Sequence, residues 1–73
     1  MPKLPVLSGK EVINILQKKG FEIVRQRGSH VSLQRILDKE EYNVVVPLHN
    51  ELARGTLMSI IRQSGLEKND FNG

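Results

Sequence analysis

The chain has 73 residues, no cysteine and a formal net charge of +3 at neutral pH. The length favours a single domain over residues 1–73, and the lack of cysteine excludes disulfides, thiolate zinc sites and cysteine nucleophiles. No run approaches the roughly 20 apolar residues that a membrane span requires, and the start of the chain lacks the apolar stretch of a signal peptide. We therefore expect a cytoplasmic protein.

The segment LSGKEVINILQKKG predicts the first helix. Ser8 is placed to cap its N-terminus, and Glu11, three positions later, completes a capping box. Gly20 predicts its end. The apolar stripe at helical spacing consists of Val12, Ile13 and Leu16.

A β-hairpin is predicted next from FEIVRQ, the turn RGS and HVSLQR. Gly28 supplies the positive φ that a tight hairpin often needs. In the second strand, Val31 and Leu33 alternate with His30, which should therefore face away from the core. The apolar residues on one face of the first strand are Phe21 and Ile23.

The second half of the chain adds a third strand and a second helix. ILDKEE predicts a charged connection, YNVVVP a strand whose final Pro47 fits an edge position, and LHNELARG a loop. Thr56 is placed to cap the helix TLMSIIRQSG. The last segment, KNDFNG, is expected to fray in part, although Leu66 and Phe71 can fold back on the core.

The resulting order is helix, three strands, helix. Three antiparallel strands have one face to bury, and two amphipathic helices are enough to cover it. The sequence therefore predicts a two-layer α+β domain, α-β-β-β-α, with a three-stranded antiparallel sheet and two helices on one face.

The charge distribution favours a polyanionic partner. Seven of the 11 lysines and arginines lie at or before position 35, with only two of the 8 acidic residues. A basic segment of this kind is typical of nucleic-acid binding. From charge alone, an ordinary solvated surface explains the pattern equally well.

His30 is the strongest catalytic candidate, because it should be exposed beside two arginines and a glycine turn. An imidazole has an unperturbed pKa of about 6.5, so it can accept or donate a proton near neutral pH. RNA cleavage by the ribose 2′-hydroxyl needs such proton transfers, and guanidinium groups would bind the phosphate. A surface histidine without a role is the alternative. The residues predicted to bind RNA or its phosphates are Gly28, Ser29, Arg25, Arg27, Lys10 and Arg35.

The sequence evidence for other catalytic residues and for other kinds of site is weaker. His49 is the candidate auxiliary acid or base, although a structural role in its loop is the more common one. The two histidines lack the spacing of metal ligands, and the carboxylates form no obvious cluster. Ser29 adjoins His30, which is poor geometry for a serine hydrolase, and no phosphate-loop or dinucleotide motif is present.

The segments RQRGSHVSL and VVVPLHNELARGTLMSIIRQSGL resemble the HicA (YcfA-like) mRNA interferase toxins. The resemblance covers nearly the whole chain, since LSGKEVINILQKKGFEIVRQRGSH is similar to that family's first helix and first strand. The GSH turn, the proline-x-histidine after the third strand and the GTL of the last helix are together fairly specific, in this order and in so short a chain.

This resemblance implies a fold like that of a double-stranded-RNA-binding domain and metal-independent endoribonuclease cleavage of mRNA. It implies that His30, the histidine of the GSH motif, is catalytic. A HicB-type antitoxin would cover the site, and the pair would act in bacterial growth arrest. No cofactor, metal or membrane association is expected. The rival interpretations are a non-catalytic RNA-binding module of the same fold and, more weakly, a purely structural partner of another protein.

Overall fold

The computed structural model describes residues 5–72, whose elements follow the predicted order of helix, three strands and helix. This order confirms the α-β-β-β-α fold of the α+β class. A short 3-10 helix follows the second helix. The bounds are Gly9–Lys18 for α1, Glu22–Arg27 for β1, His30–Leu37 for β2, Glu40–Pro47 for β3, Arg54–Ser64 for α2 and Lys68–Phe71 for the 3-10 helix.

The strands form one antiparallel sheet in the order β1-β2-β3, and both helices lie on one of its faces. On that face, Val31 and Leu33 of β2 pair with Val46 and Val44 of β3, and all four are buried. Within residues 5–72, no helix lies on the opposite face, where His30 stands exposed as predicted. The helix residues of the core are Val12, Ile13, Leu16, Leu57, Ile60 and Ile61.

β1 is an edge strand that lies outside the helical cover. All six of its residues are exposed, and its register to β2 shifts between Ile23 and Arg25, so that Val24 forms a bulge. Phe21 is buried just before the strand, but Ile23 is 49% exposed. The apolar face predicted for this strand is therefore buried only at Phe21. The reason is that the helices pack mainly against β3.

The connection between β2 and β3 is shorter than predicted. Leu37 pairs directly with Glu40, and only Asp38 and Lys39 form the turn, with φ angles of +50° and +70°. The charged connection predicted over ILDKEE is therefore wrong, because both strands continue into that segment. Positive φ at both central residues suits the twist of a two-residue hairpin, but the segment lacks the glycine that usually indicates one.

The two helices begin differently. The Ser8 hydroxyl accepts from the Glu11 N–H at 3.1 Å, and the Glu11 carboxylate accepts from the Ser8 N–H at 2.9 Å, which confirms the capping box. α2 begins at Arg54 after Ala53, with no side-chain cap. The prediction that Thr56 caps this helix is wrong, because the helix has already begun before Thr56.

The C-terminal segment packs on the core. Phe71, at the end of the 3-10 helix, is 0% exposed, which confirms its predicted inward packing. The Asp70 carboxylate lies 3.2 Å from the Lys19 ammonium. A backbone N–H at the start of the 3-10 helix, and then Lys19, lower the pKa of Asp70. The predicted fraying is wrong for the 3-10 helix, and the end of that prediction, Gly73, lies outside the described residues.

Candidate active site

The turn between β1 and β2 places His30 at one exposed end of the sheet. Gly28 has a φ of +55° at the first central position, where the type II′ turn usually requires glycine. A Cβ added at Gly28 would meet no heavy atom of the described chain within 4 Å, apart from its immediate neighbours. The turn is therefore open to an approaching ligand. Arg27 and His30 pair across it.

The strand register brings two arginines to the face that carries His30. Arg27 lies opposite His30, and Arg25 lies opposite Ser32, one pair further along β2. Paired residues project from the same side of a sheet, with Cβ atoms roughly 5 Å apart. Both arginines are exposed. Two of the predicted phosphate-binding residues therefore flank the histidine.

The end of β3 meets the same turn from the other side. Pro47 pairs with His30, and the Leu48 N–H donates to the Ser29 carbonyl at 2.6 Å. His49 follows and is exposed, and its carbonyl accepts from the first N–H of α1 at 2.9 Å. The main chain of the predicted auxiliary histidine therefore runs beside the GSH turn.

Gly9 allows α1 to approach this end of β3 closely. It is buried, and a Cβ in its place would overlap the Pro47 carbonyl oxygen. The next residue, Lys10, is exposed and lies at the same end of the molecule as the GSH turn. Lys19 lies near the other end of α1, roughly 14 Å away along the helix axis. Because α1 approaches β3 at Gly9, Lys10 lies near the site and Lys19 does not.

Replacing Gly9 by alanine should destabilise the protein by about 1–3 kcal/mol, because the added methyl group must push α1 away from β3. Urea denaturation measures the change. Gly55→Ala is the matched control: an added Cβ there meets nothing within 4 Å among the described residues, so that variant should be at least as stable as the parent. Equal stability of the two variants would contradict the close approach.

A further cation, missed by the sequence analysis, lies at this end of the fold. The Leu52 N–H donates to the Leu7 carbonyl at 2.8 Å, which brings the start of α2 to the start of α1. Arg54 is exposed as the first residue of α2, whose first turn holds no acidic residue. A cation is unfavourable at a helix N-terminus. An unfavourable charge of this kind can indicate a functional residue. The sequence would have revealed it only if α2 had been predicted to begin at Arg54.

Arg35 is not brought to the site. It lies on the face of β2 that carries Leu33, and its Nη1 donates to the Lys19 carbonyl at 3.1 Å. Its guanidinium carbon lies 5.2 Å from the ring centroids of both Phe21 and Tyr42. Arg35 therefore attaches the end of α1 to the sheet. Because its guanidinium packs against these two rings and the end of α1, Arg35 is not among the cations at the GSH turn.

A profile of the protein family described as the HicA toxin of bacterial toxin-antitoxin matches residues 9–66. The chain belongs to the HicA toxin family. The match begins at the first residue of α1 and extends beyond α2, so it contains all the residues gathered around the GSH turn. Membership of this family makes the protein a toxin with an antitoxin partner. A comparison with curated proteins finds no match.

The site of this HicA protein combines two exposed histidines, His30 and His49, with several cations on an open surface. This arrangement can exchange a proton and bind an anion. Among residues 5–72, no group of three or more histidine, cysteine, aspartate or glutamate residues is placed to hold a metal ion. In the same part of the chain, no helix is long and apolar enough to cross a membrane.

Proposed function

We propose that this HicA protein is a metal-independent endoribonuclease that cleaves mRNA, with His30 as general acid or base. The observation that carries the proposal is the pairing of the exposed His30 with Arg27 at an open end of the sheet. An imidazole transfers protons near neutral pH, and a guanidinium binds phosphate through charge-assisted hydrogen bonds. A group that can transfer a proton and a group that can bind phosphate are therefore cross-strand neighbours.

The ribose 2′-hydroxyl is the nucleophile of the proposed reaction. A base removes its proton, the oxygen attacks the adjacent phosphorus, and the bond from phosphorus to the 5′-oxygen breaks as an acid protonates that oxygen. The products are a 2′,3′-cyclic phosphate and a 5′-hydroxyl. His30 performs one proton transfer, and His49 is the candidate for the other, because its main chain lies beside the GSH turn.

The groups around the turn bind the phosphate in this proposal. Gly28 leaves the turn open, so that a phosphate can reach the backbone closely. The guanidinium groups stabilise the charge that grows on the phosphate oxygens during attack. Arg54 adds a cation from the start of α2. The other residues assigned to RNA or phosphate binding are Ser29, Arg25, Arg27 and Lys10.

We further propose that the antitoxin is of the HicB type and inhibits by covering this site. An open, cationic surface is complementary to an acidic protein surface, which would exclude RNA while it is bound. Release of the toxin in the bacterial cytoplasm would then allow mRNA cleavage and growth arrest.

Cleavage of a long single-stranded RNA by the purified protein in EDTA tests the activity. We expect products with 2′,3′-cyclic phosphate ends, and no cleavage of a matched DNA, which lacks the 2′-hydroxyl. RNA binding without cleavage would instead favour the non-catalytic RNA-binding module. Cleavage that requires an added divalent ion would contradict the metal-independent mechanism.

Replacing Arg27 by glutamine should weaken RNA binding and reduce the salt dependence of the RNA affinity. Each phosphate contact to a single strand contributes about 0.7 to the slope of log affinity against log salt concentration, and this variant should lose about one such contact. Fluorescence anisotropy measures the slope. The matched control is Arg62→Gln, since Arg62 is exposed in the last turn of α2. Equal slopes for the two variants would remove Arg27 from the phosphate site.

A further inference from the structure

The open face of the sheet continues well beyond His30. Cross-strand pairing divides this face into rows of three residues, with successive rows roughly 7 Å apart along the strands. Pro47, beside which α1 begins, is buried, and the other members of these rows are exposed or half-buried. The rows are Arg27–His30–Pro47, then Arg25–Ser32–Val45, then Glu22–Gln34–Asn43.

The third row contains two amides whose orientation is set by a carboxylate. Gln34 Nε2 donates to the Glu41 carboxylate and to Asn43 Oδ1, the latter at 3.3 Å. Asn43 Nδ2 donates to the same carboxylate at 3.4 Å. Among the described side chains, none donates to Gln34 Oε1, and one N–H of Asn43 is left over. Gln34 therefore keeps an unused acceptor and Asn43 an unused donor, and groups of these two kinds bind the edge of an unpaired nucleobase.

A depression lies next to Gln34, one of these two amides. β1 begins at Glu22, opposite Gln34, whereas β2 continues to Leu37, so the corner of the sheet is left open. The depression has a volume of about 240 Å³. This is below the roughly 300–1,000 Å³ of pockets for drug-sized ligands and suits a smaller flat group. Its lining residues are Gly20, Glu22, Gln34, Arg35 and Ile36.

The charge of the rows indicates which part of an RNA strand each row would bind. The first two rows carry Arg27 and Arg25, which attract phosphates. The third row carries Glu22 and contacts Glu41, which repel them. Ile36 is 68% exposed on the same face and offers an apolar surface to a ring. The third row therefore favours a base and disfavours the sugar–phosphate backbone.

We propose that Gln34 and Asn43 form a base-reading subsite for single-stranded RNA, and that Glu41 acts as their positioning residue. The inference rests on the proposed function and deepens it. Gln34 lies four positions from His30 along β2, a distance of roughly 13 Å. The base that is read belongs to a nucleotide near the cleaved phosphate, and the subsite selects where the RNA is cut.

Sequencing of cleavage ends from a randomised single-stranded RNA pool tests this subsite. The parent protein should show a base preference of roughly tenfold or more at one position near the cut. Gln34→Leu and Asn43→Leu should each lose most of that preference. Gln63→Leu, which changes an exposed glutamine on α2, should keep it. A preference that is unchanged in both subsite variants would overturn the inference while leaving the ribonuclease intact.

A second test does not depend on cleavage. Oligonucleotides that bind the His30→Ala protein are selected and compared with those that bind the same protein carrying Gln34→Leu or Asn43→Leu. Suppose that the protein without substitutions does not cleave RNA, but that its base selectivity disappears with Gln34→Leu. This result would support the subsite and contradict the proposed function. Two results would overturn the subsite: RNA binding without any base selectivity, and subsite variants that lose only antitoxin binding. The second result would assign the open face to the protein partner.

Discussion

Replacing His30 by alanine should lower the rate of RNA cleavage by about 10²–10⁴-fold and leave the protein folded and able to bind RNA. His30 is exposed at the start of β2, so its truncation leaves no cavity in the core. Arg27 remains across the strand pair to hold the phosphate. The loss should therefore fall on the chemical step, which single-turnover cleavage at saturating protein measures.

His49→Ala is the matched comparison, because both histidines are exposed at the same end of the sheet. Comparable losses in the two variants would identify the two histidines as an acid–base pair. A loss confined to His30→Ala would assign the second proton transfer to another group or to water. Full cleavage by His30→Ala would contradict the proposed mechanism.

Replacing Phe71 by alanine should destabilise the protein by about 3–5 kcal/mol, which is a large part of the stability of so small a domain. The ring is fully buried and its 3-10 helix contacts α1, so its removal leaves a cavity in the core next to α1. Urea denaturation followed by far-ultraviolet circular dichroism measures the loss, since the chain has no tryptophan.

Asn69→Ala is the control for this experiment, because Asn69 is exposed in the same 3-10 helix. It should change the free energy of unfolding by less than about 0.5 kcal/mol. A Phe71→Ala protein as stable as the control would indicate that the C-terminal segment is not docked on the core in solution.

The features that were predicted correctly depend on residues that are close in the chain. Ser8 and Glu11 form their capping box within one helical turn. The alternation of His30, Val31 and Leu33 decides which side chains of β2 face the core. Gly28 occupies the positive-φ position of its turn. Short-range sterics and hydrogen bonds dominate each of these features, so local patterns are sufficient to reveal them.

The features that were missed depend on contacts between distant segments. Asp38 and Lys39 adopt positive φ because β2 and β3 pair up to the turn, although neither residue is a glycine. α2 starts before Thr56, at the point where the Leu52 N–H bonds to the segment that precedes α1. Ile23 is exposed because the helices cover β3 and not β1.

The sequence by itself determined the order of elements, the exposure of His30 and the basic character of the turn, because periodicity and turn chemistry act over a few residues. Only the tertiary structure decided which cations lie at the same end of the fold as His30. The strand register places Arg25 and Arg27 beside His30, and the contact of Gly9 with β3 brings Lys10 to the same end. Arg54 joins them and Arg35 does not, because long-range packing, which no local pattern encodes, sets the position of every helix end relative to the sheet.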